Sequence, residues 1–200
     1  SRGTVDGVIV HSPIQNDPRI TLLRELALPF VVHGRATGAK LPYSWVDVNN
    51  RRAFARATSF LLDLGHRRIA LANGLEFMDF AIRRRKGYSE SLAAHGIEAD
   101  SALMASAEMT EGNGYRIADV ILDQPDPPTA FLVSSMIMAI GVRRAIERRG
   151  LVIGRDISVI IHDDELGYIR NGEDVPIFTA TRSSVREAGR LAAAMLLETI

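Results

Sequence analysis

The chain has 200 residues, enough for one compact domain or two small ones with a sizeable core. Lys plus Arg and Asp plus Glu both number 24, so no overall field attracts nucleic acid or an anionic membrane surface. Cysteine is absent, which excludes disulfides, thiolate metal sites and cysteine nucleophiles together, and no apolar run approaches the roughly 18 residues of a membrane span.

Short apolar runs alternate with helical periodicity along almost the whole chain. Strands are predicted for VDGVIV (5–10), PFVV, RRIALAN (67–73), TAFLVS (129–134), ISVII (157–161) and FTATR, with a weak one near 102–105. Helices are predicted near 17–27, 49–65, 80–95, 112–123 and 135–149, and from Ser184, where SVRE has the spacing of a capping box. This alternation predicts an α/β fold with parallel strands and right-handed crossovers.

Polar residues follow nearly every predicted strand. In parallel α/β sheets, ligands bind beyond the carboxyl ends of the strands, so these positions indicate a binding site. They are His11 and Ser12, His33 and Arg35, Asn73 and Gly74, Ser134 and Ser135, and His162, Asp163 and Asp164.

The His162–Asp163–Asp164 cluster directly after a buried strand is open to several interpretations. An acid/base dyad is disfavoured, because neighbouring side chains in an extended segment point to opposite sides. A metal site would need His11 or His33 as well, and no second motif at ligand spacing is present. A ligand clamp and a solvated turn in which aspartate caps backbone N–H groups both remain open.

Motifs for nucleotide binding and for nucleophilic catalysis are missing. The GNG at 112–114 lacks the third glycine of a dinucleotide fingerprint, and neither a P-loop nor a G-x-S-x-G elbow occurs. The basic run RRRK (83–86) fans around a helix at about 100° per residue, so we expect most of it to be solvated and one member to turn inward. Phe77 and Phe80 are either core plugs or a stacking platform for a ligand.

A set of segments occurs in the order and spacing of a known family. They are VDGVIV, PFVVHGR, LGHRRIAL, RRRKGY, PPTAFLVS followed by MAIG, GRDISVIIHDDE, and FTATRSSVREAGRLAA. Together they resemble the effector-binding core of LacI/GalR-type bacterial transcription regulators, over essentially the whole chain.

The resemblance implies two interleaved Rossmann-like subdomains around a cleft, as in periplasmic sugar-binding proteins. It assigns 1–47 and 183–200 to a partial N-terminal subdomain and 48–182 to the C-terminal subdomain. The segments near 47–49 and 182–184 are then the expected hinge. The helix-turn-helix headpiece of the family is not in this chain, and its N-terminal subdomain is expected to be incomplete.

The resemblance also implies effector-binding residues. Arg84 lies three residues before Gly87 in the R-x-x-G-aromatic motif, and Asp163 is the first of the acidic pair after the ISV strand. His11 occupies the position after the first strand. Asp163 is expected to bind the effector, Asp164 to cap the following turn, and His162 to face away.

Further contacts are expected from other positions of the pattern. Met109 stands five residues before a glycine–aromatic pair, where a stacking side chain is usual, and it is apolar but not aromatic. Ser134 replaces the asparagine, and Asn49 the aspartate, that most members carry at those positions. Phe77 and Phe80 could cover the apolar face of a pyranose ring.

The expected function is therefore that of a sensor without enzymatic activity, cofactor or metal. It is the effector-binding domain of a cytoplasmic regulator that binds a sugar or related small polar molecule and switches operator DNA binding of a homodimer, through a headpiece absent from this chain. The VPIFTATRSS ending resembles regulators of α-glucoside use, which favours an α-glucoside effector. The alternative is a periplasmic sugar-binding protein of a transporter. No membrane partner is expected.

Overall fold

The computed structural model describes residues 4–163, 165, 166 and 169–200. It divides into two compact units, each built from separate parts of the chain. The first comprises Ser1–Asn49, Phe77–Ile82 and Ser184–Ile200, and the second Asn50–Glu76 and Arg83–Ser183. The chain thus passes between units after Asn49 and after Ser183, compared with the expected junctions after 47 and 182. The grouping of Phe77–Ile82 with the first unit was not expected.

The first unit contains a parallel three-stranded sheet in the order β1-β2-β3. Its strands are β1 (Val8–His11), β2 (Phe30–His33) and β3 (Ser44–Val46), and its helices are α1 (Pro18–Glu25) and, at the end of the chain, α6 (Val185–Leu197). Helix α6 packs against all three strands. Residues of α1 and of the strands form the core, among them Val10, Ile20, Leu23, Phe30 and Val32.

Hydrogen bonds and a β-bridge join the segment Phe77–Ile82 to the rest of the first unit. The backbone N–H of Thr37 donates to Asp79 Oδ1 at 3.1 Å, and the backbone N–H of Asp79 donates to the carbonyl of Pro13 at 3.1 Å. Ile14 and Met78 also form an isolated antiparallel bridge. These contacts join positions far apart in sequence, and no local pattern predicts them.

The second unit contains a parallel five-stranded sheet in the order β10-β7-β6-β4-β5. Its strands are β4 (Ile69–Asn73), β5 (Met104–Ser106), β6 (Ala130–Val133), β7 (Ser158–His162) and β10 (Thr179–Thr181). Its helices are α2 (Asn50–Asp63), α3 (Asp79–Ala94, whose first turn belongs to the first unit), α4 (Glu111–Leu122) and α5 (Met136–Arg148). A short antiparallel pair, β8 (Glu165–Leu166) and β9 (Ile169–Arg170), follows β7.

The strands of this sheet are buried on both faces, as their continuous apolar runs predict. Alternate residues such as Leu71, Leu132 and Ile160 share a core with α2 and α3. Their neighbours, such as Phe131 and Val159, share the other core with α4 and α5. The α/β fold with parallel sheets predicted from the sequence is confirmed.

Two glycines allow α4 and α5 to approach each other closely. A Cβ atom added at Gly114 would lie 1.9 Å from the carbonyl oxygen of Met138, and one at Gly141 would lie 1.9 Å from that of Glu111. Real Cβ atoms do not come so near to backbone, so only glycine fits at these two positions. The packing of α4 against α5 therefore depends on close contact between their backbones as well as on apolar side chains.

Within the described residues, no helix is long and apolar enough to cross a membrane. The same residues contain no group of three or more His, Asp or Glu side chains suited to hold a metal ion.

Candidate functional site

Polar residues stand at the carboxyl ends of four adjacent strands in the second unit. Because β10, β7, β6 and β4 are parallel neighbours, these residues line one edge of the sheet. They are Thr181 in β10, His162 and Asp163 at the end of β7, Ser134 after β6, and Asn73 at the end of β4. We call this set of residues, together with Arg84, the strand-end cluster.

Arg84 lies on α3 and is the buried member of the RRRK run, with 6% of its surface exposed. Its Nε donates to Asn50 Oδ1 at 2.8 Å, and its Nη1 donates to the carbonyl of Ser134 at 2.9 Å. The guanidinium carbon lies 5.2 Å from the centre of the Phe54 ring, within the range of a cation–π contact. The prediction that one basic residue turns inward is confirmed. Its fixed position makes the guanidinium a rigid hydrogen-bond donor.

Ser134 and Asn73 are both buried and bond to each other. Ser134 Oγ donates to Asn73 Oδ1 at 2.8 Å, and that oxygen also accepts from the backbone N–H of Gly74 at 3.0 Å. The amide of Asn73 donates to Glu76 Oε1 at 3.1 Å. The hydroxyl of Ser134 is thus engaged inside the protein, while its carbonyl holds Arg84. Direct contact of Ser134 with an effector stays a prediction.

Asp163 directly follows β7 and has a left-handed backbone, with φ of 58°. Its N–H donates to the carbonyl of Thr181 at 2.9 Å. Its Oδ1 accepts from the backbone N–H of Ser183 at 3.0 Å and from Ser183 Oγ at 2.5 Å. The side chain remains 23% exposed. Oδ1 of Asp163 is therefore held by hydrogen bonds within the second unit, and the side chain as a whole remains accessible to solvent.

His162 is almost completely buried, with 1% of its surface exposed. Its Nδ1 lies 2.8 Å from Thr181 Oγ1, and its ring centre is 5.7 Å from that of Phe54. Burial lowers the pKa of His162 to about 4; the charge of Arg84 acts in the same direction and that of Asp163 opposes it. The imidazole is therefore neutral at pH 7.

The side chains of His162 and Asp163 lie close together, with His162 Nε2 3.4 Å from Asp163 Oδ2. In an extended segment neighbouring side chains alternate, but the left-handed backbone at Asp163 ends the alternation. That Asp163 binds the effector and His162 faces away from it stays a prediction. Asp164, expected to cap the turn, lies outside the described residues.

His11, the predicted contact at the end of β1, belongs to the first unit. It is exposed, and its Nδ1 lies 3.0 Å from His33 Nδ1 at the end of β2, with the two rings edge to face. Burial and the neighbouring His11 lower the pKa of His33, while Asp47 opposes the shift. Two hydrogen-bonding imidazoles therefore stand side by side at the carboxyl edge of that sheet.

The other predicted contacts are distributed over both units. In the first unit, Phe77 is 58% exposed, which excludes a role as a core plug, Phe80 is half-buried, and Asn49 is exposed. In the second unit, Met109 is half-buried and packs against the core beneath α4 and α5. The structure thus brings Arg84, Ser134 and Asp163 together in the strand-end cluster, and places Met109 apart from their hydrogen bonds.

Several residues of this region were not predicted as site residues from the sequence. Asn50 and Phe54 on α2 hold Arg84, while Thr181 and Ser183 hold His162 and Asp163. The position of Phe54 on the apolar stripe of α2 indicated only burial. Thr181 is the last residue of β10 and Ser183 follows that strand, and this position was the one signal that could have identified them.

The chain is similar to known proteins over nearly its whole length. A family model described as a periplasmic binding protein-like domain matches residues 58–200. The HTH-type transcriptional regulator AglR of Rhizobium meliloti is 48% identical over 196 residues, which are 98% of this chain and 55% of that protein.

Solved structures give the same result. A regulatory protein of the LacI family from Chloroflexus aggregans superimposes with a TM-score of 0.87 at 30% identity, covering 98% of this chain and 69% of that one. A complex of the transcriptional regulator CelR with cellobiose gives a TM-score of 0.85 at 30% identity, covering 98% and 59%.

Fold and comparisons together define the class of protein: the chain belongs to the periplasmic-binding-protein-like domain family. Within that family it corresponds to the effector-binding region of LacI-type transcription regulators, as expected, and the transporter alternative is not supported. The chain spans about half the length of the curated relatives it matches.

Proposed function

We propose that this domain binds a sugar effector at the strand-end cluster and thereby controls operator DNA binding by a cytoplasmic homodimeric regulator. The observation that supports the proposal is the presence, at one sheet edge, of a buried arginine and a partly exposed aspartate. Arg84 is held by Asn50 and Ser134, and Asp163 by Ser183. Both charged groups are thus oriented before any ligand arrives, which lowers the entropy cost of binding.

The chemistry of these two groups suits a polyol. A carboxylate accepts hydrogen bonds from hydroxyl groups, and a guanidinium donates to oxygen through a planar fork. A sugar hydroxyl can both donate and accept, so neighbouring hydroxyls can satisfy Asp163 and Arg84 together. An anionic ligand would be repelled by Asp163, and a cationic ligand by Arg84. A neutral polyhydroxylated molecule therefore matches the charges better than either ion.

The linkage of the sugar can be tested with a matched pair. The ending of the sequence resembles regulators of α-glucoside use, whereas the related CelR structure contains cellobiose, a β-linked disaccharide. Maltose and cellobiose are both glucose disaccharides and differ in that linkage. We propose an α-glucoside as the effector, so maltose is expected to bind more tightly than cellobiose.

Isothermal titration calorimetry with both disaccharides tests the site. Asp163→Asn keeps the shape of the side chain and removes its charge, so it should weaken binding by about tenfold or more, because hydrogen bonds to charged groups are worth about 1.5–3 kcal/mol. Asp119→Asn is the matched control, since Asp119 pairs with Arg149 on the helices α4 and α5, outside the strand-end cluster.

The outcomes separate two errors. If neither disaccharide, nor any member of a wider mono- and disaccharide thermal-shift screen, binds the wild-type domain, the proposal of a sugar effector is wrong. If a sugar binds and Asp163→Asn has wild-type affinity, the site assignment is wrong.

The proposed homodimer rests on different residues. We place the proposed contact on helix α6, which exposes Val185, Leu191 and Leu197 at 57, 40 and 73%. The basic face of α5 is the second candidate surface. Sedimentation velocity should show a dimer at micromolar concentration, and Leu191→Asp with Leu197→Asp should shift it to monomer. A wild-type monomer at those concentrations would contradict this part of the proposal.

A further inference from the structure

One nitrogen in the strand-end cluster is buried without a hydrogen bond. The His162 ring is engaged through Nδ1, but Nε2 has no hydrogen-bond partner among the described residues and is shielded from solvent. An unsatisfied buried polar group costs on the order of 1–3 kcal/mol. Such groups are rare in native proteins, and each one calls for an explanation, a functional role among them.

The surroundings of the ring indicate which nitrogen carries the proton. Asp163 Oδ2 lies 3.4 Å from Nε2, so the negative charge of the carboxylate favours a proton on that nitrogen and disfavours a bare lone pair there. Thr181 Oγ1 can donate its one hydroxyl proton to His162 Nδ1 at 2.8 Å or to the carbonyl of Ile161 at 3.4 Å, and the shorter distance favours Nδ1. The neutral ring is therefore expected to carry its proton on Nε2, held in that state by Thr181.

Nε2 and Oδ2 do not satisfy each other, although they are close. Their 3.4 Å separation lacks the alignment of a hydrogen bond. A donor and an acceptor placed side by side in this way fit a hydroxyl group, which can accept from the N–H and donate to the carboxylate at once. An ether oxygen can only accept, and an ammonium group can only donate. The pair is thus chemically selective for an unsubstituted hydroxyl.

We propose that His162 is an effector-binding residue. Its Nε2–H donates to a hydroxyl group of the sugar, and the same hydroxyl group donates to Asp163 Oδ2. This inference rests on the proposed function, and it adds a specificity: the hydroxyl bound there must be unsubstituted. Phe54 fixes one side of the ring and Thr181 fixes its tautomer, so both act as positioning residues.

Calorimetry on two substitutions separates the hydrogen bond from the packing of the ring. His162→Gln keeps an N–H donor at similar reach, whereas His162→Phe keeps the ring and removes the donor. The titrations use whichever of maltose and cellobiose binds the wild type more tightly. His162→Phe should weaken the binding of that sugar by about tenfold, and His162→Gln should weaken it by about threefold or less. Equal affinities of the wild type and His162→Phe would overturn the inference.

His66→Phe is the matched control. His66 is also a histidine bound at both ends of the ring, through Nδ1 to Thr129 and through Nε2 to Ser158, but these partners stand where β6 and β7 begin, at the opposite edge of the sheet. Its loss should lower stability without changing sugar affinity. If His66→Phe weakens binding as much as His162→Phe, the effect on affinity is a general consequence of destabilisation and the inference is wrong.

Nitrogen-15 NMR of the wild-type imidazoles gives a test that does not depend on a variant folding. The His162 signals should show the Nε2-protonated tautomer, and the Nε2 resonance should shift when the bound sugar is added. A proton on Nδ1 would overturn this inference and leave the proposed function standing. Unchanged His162 signals, while another part of the domain reports sugar binding, would do the same. Absence of binding by either disaccharide in the wild type would count against the proposed function and the inference that rests on it.

Discussion

At the scale of single residues, the left-handed backbone at Asp163 turns two neighbouring side chains towards each other. For a residue with a side chain this conformation costs about 1–2 kcal/mol, although aspartate tolerates it better than most. The two hydrogen bonds that Ser183 donates to Asp163 Oδ1 offset part of this cost. The result is an aspartate next to a neutral, buried histidine, an arrangement that an extended strand would not allow.

The buried His162 predicts how stability depends on pH. Its pKa of about 4 in the folded state lies below the ordinary value of 6.5, so the unfolded chain binds a proton that the folded chain does not. The free energy of unfolding should therefore fall as the pH decreases from 6.5 towards 4, by about 3 kcal/mol from this group. Above pH 7 the contribution of this group is constant.

Urea unfolding at pH 7 and pH 5 measures this dependence. His162→Gln removes the titrating ring, so its loss of stability between the two pH values should be smaller than that of the wild type. Ile160→Val is the control, because it weakens the same strand without removing an ionisable group and should lower stability equally at both pH values. If His162→Gln loses as much stability between pH 7 and pH 5 as the wild type does, the pH dependence does not come from His162.

At the scale of elements, α4 and α5 depend on glycines that bring their backbones together. Gly114→Ala or Gly141→Ala would place a methyl group 1.9 Å from a carbonyl oxygen, so the helices must separate. We expect each substitution to lower the free energy of unfolding by about 2 kcal/mol or more.

Gly112→Ala is the matched control for these substitutions. Gly112 lies on the same helix, and nothing stands within 4 Å of a Cβ added there. Alanine also favours the helix over glycine by about 1 kcal/mol, so this variant should be as stable as the wild type or slightly more. Chemical denaturation of the three variants measures the change in the free energy of unfolding that each substitution causes. Equal changes at positions 112 and 114 would refute the argument that the close approach of α4 and α5 requires glycine.

Much of the element order could be predicted because each core strand and helix carries its own periodic pattern. The strand β3 was missed, since it has only three residues and exposes Trp45 at 42%. The pair β8 and β9 lies outside the predicted strands, because two residues give no alternation to recognise. The inward turn of Arg84 was predictable from its helical position, while the orientation of His162 depends on one dihedral angle that composition does not encode.

At the scale of the whole molecule, charge balance bears on the DNA partner. Lys plus Arg and Asp plus Glu both number 24, and many of the arginines pair with carboxylates, such as Arg190 with Glu187 and Arg143 with Glu147. Affinity for DNA arises mainly from unbalanced cations that release counterions. We therefore propose that the control of DNA acts through the headpiece that the resemblance to LacI-type regulators implies, and not through a DNA contact of these 200 residues.

This balance predicts that the 200-residue chain alone does not bind duplex DNA. Fluorescence anisotropy with a labelled duplex at 50 mM salt, where electrostatic binding is favoured, should show no binding at micromolar protein. Addition of maltose or cellobiose should not change this result. Binding that weakens steeply with salt would instead reveal a DNA-contacting surface on the chain itself.

The backbone conformation of Asp163 has an evolutionary consequence. Asparagine tolerates the same left-handed conformation, offers Ser183 an equivalent acceptor, and differs from aspartate by a single base change. This position can therefore lose its charge with little disturbance of the fold. Under the proposed function, a lineage that no longer encounters its effector therefore has a short mutational route to a domain that is folded and binds the effector weakly.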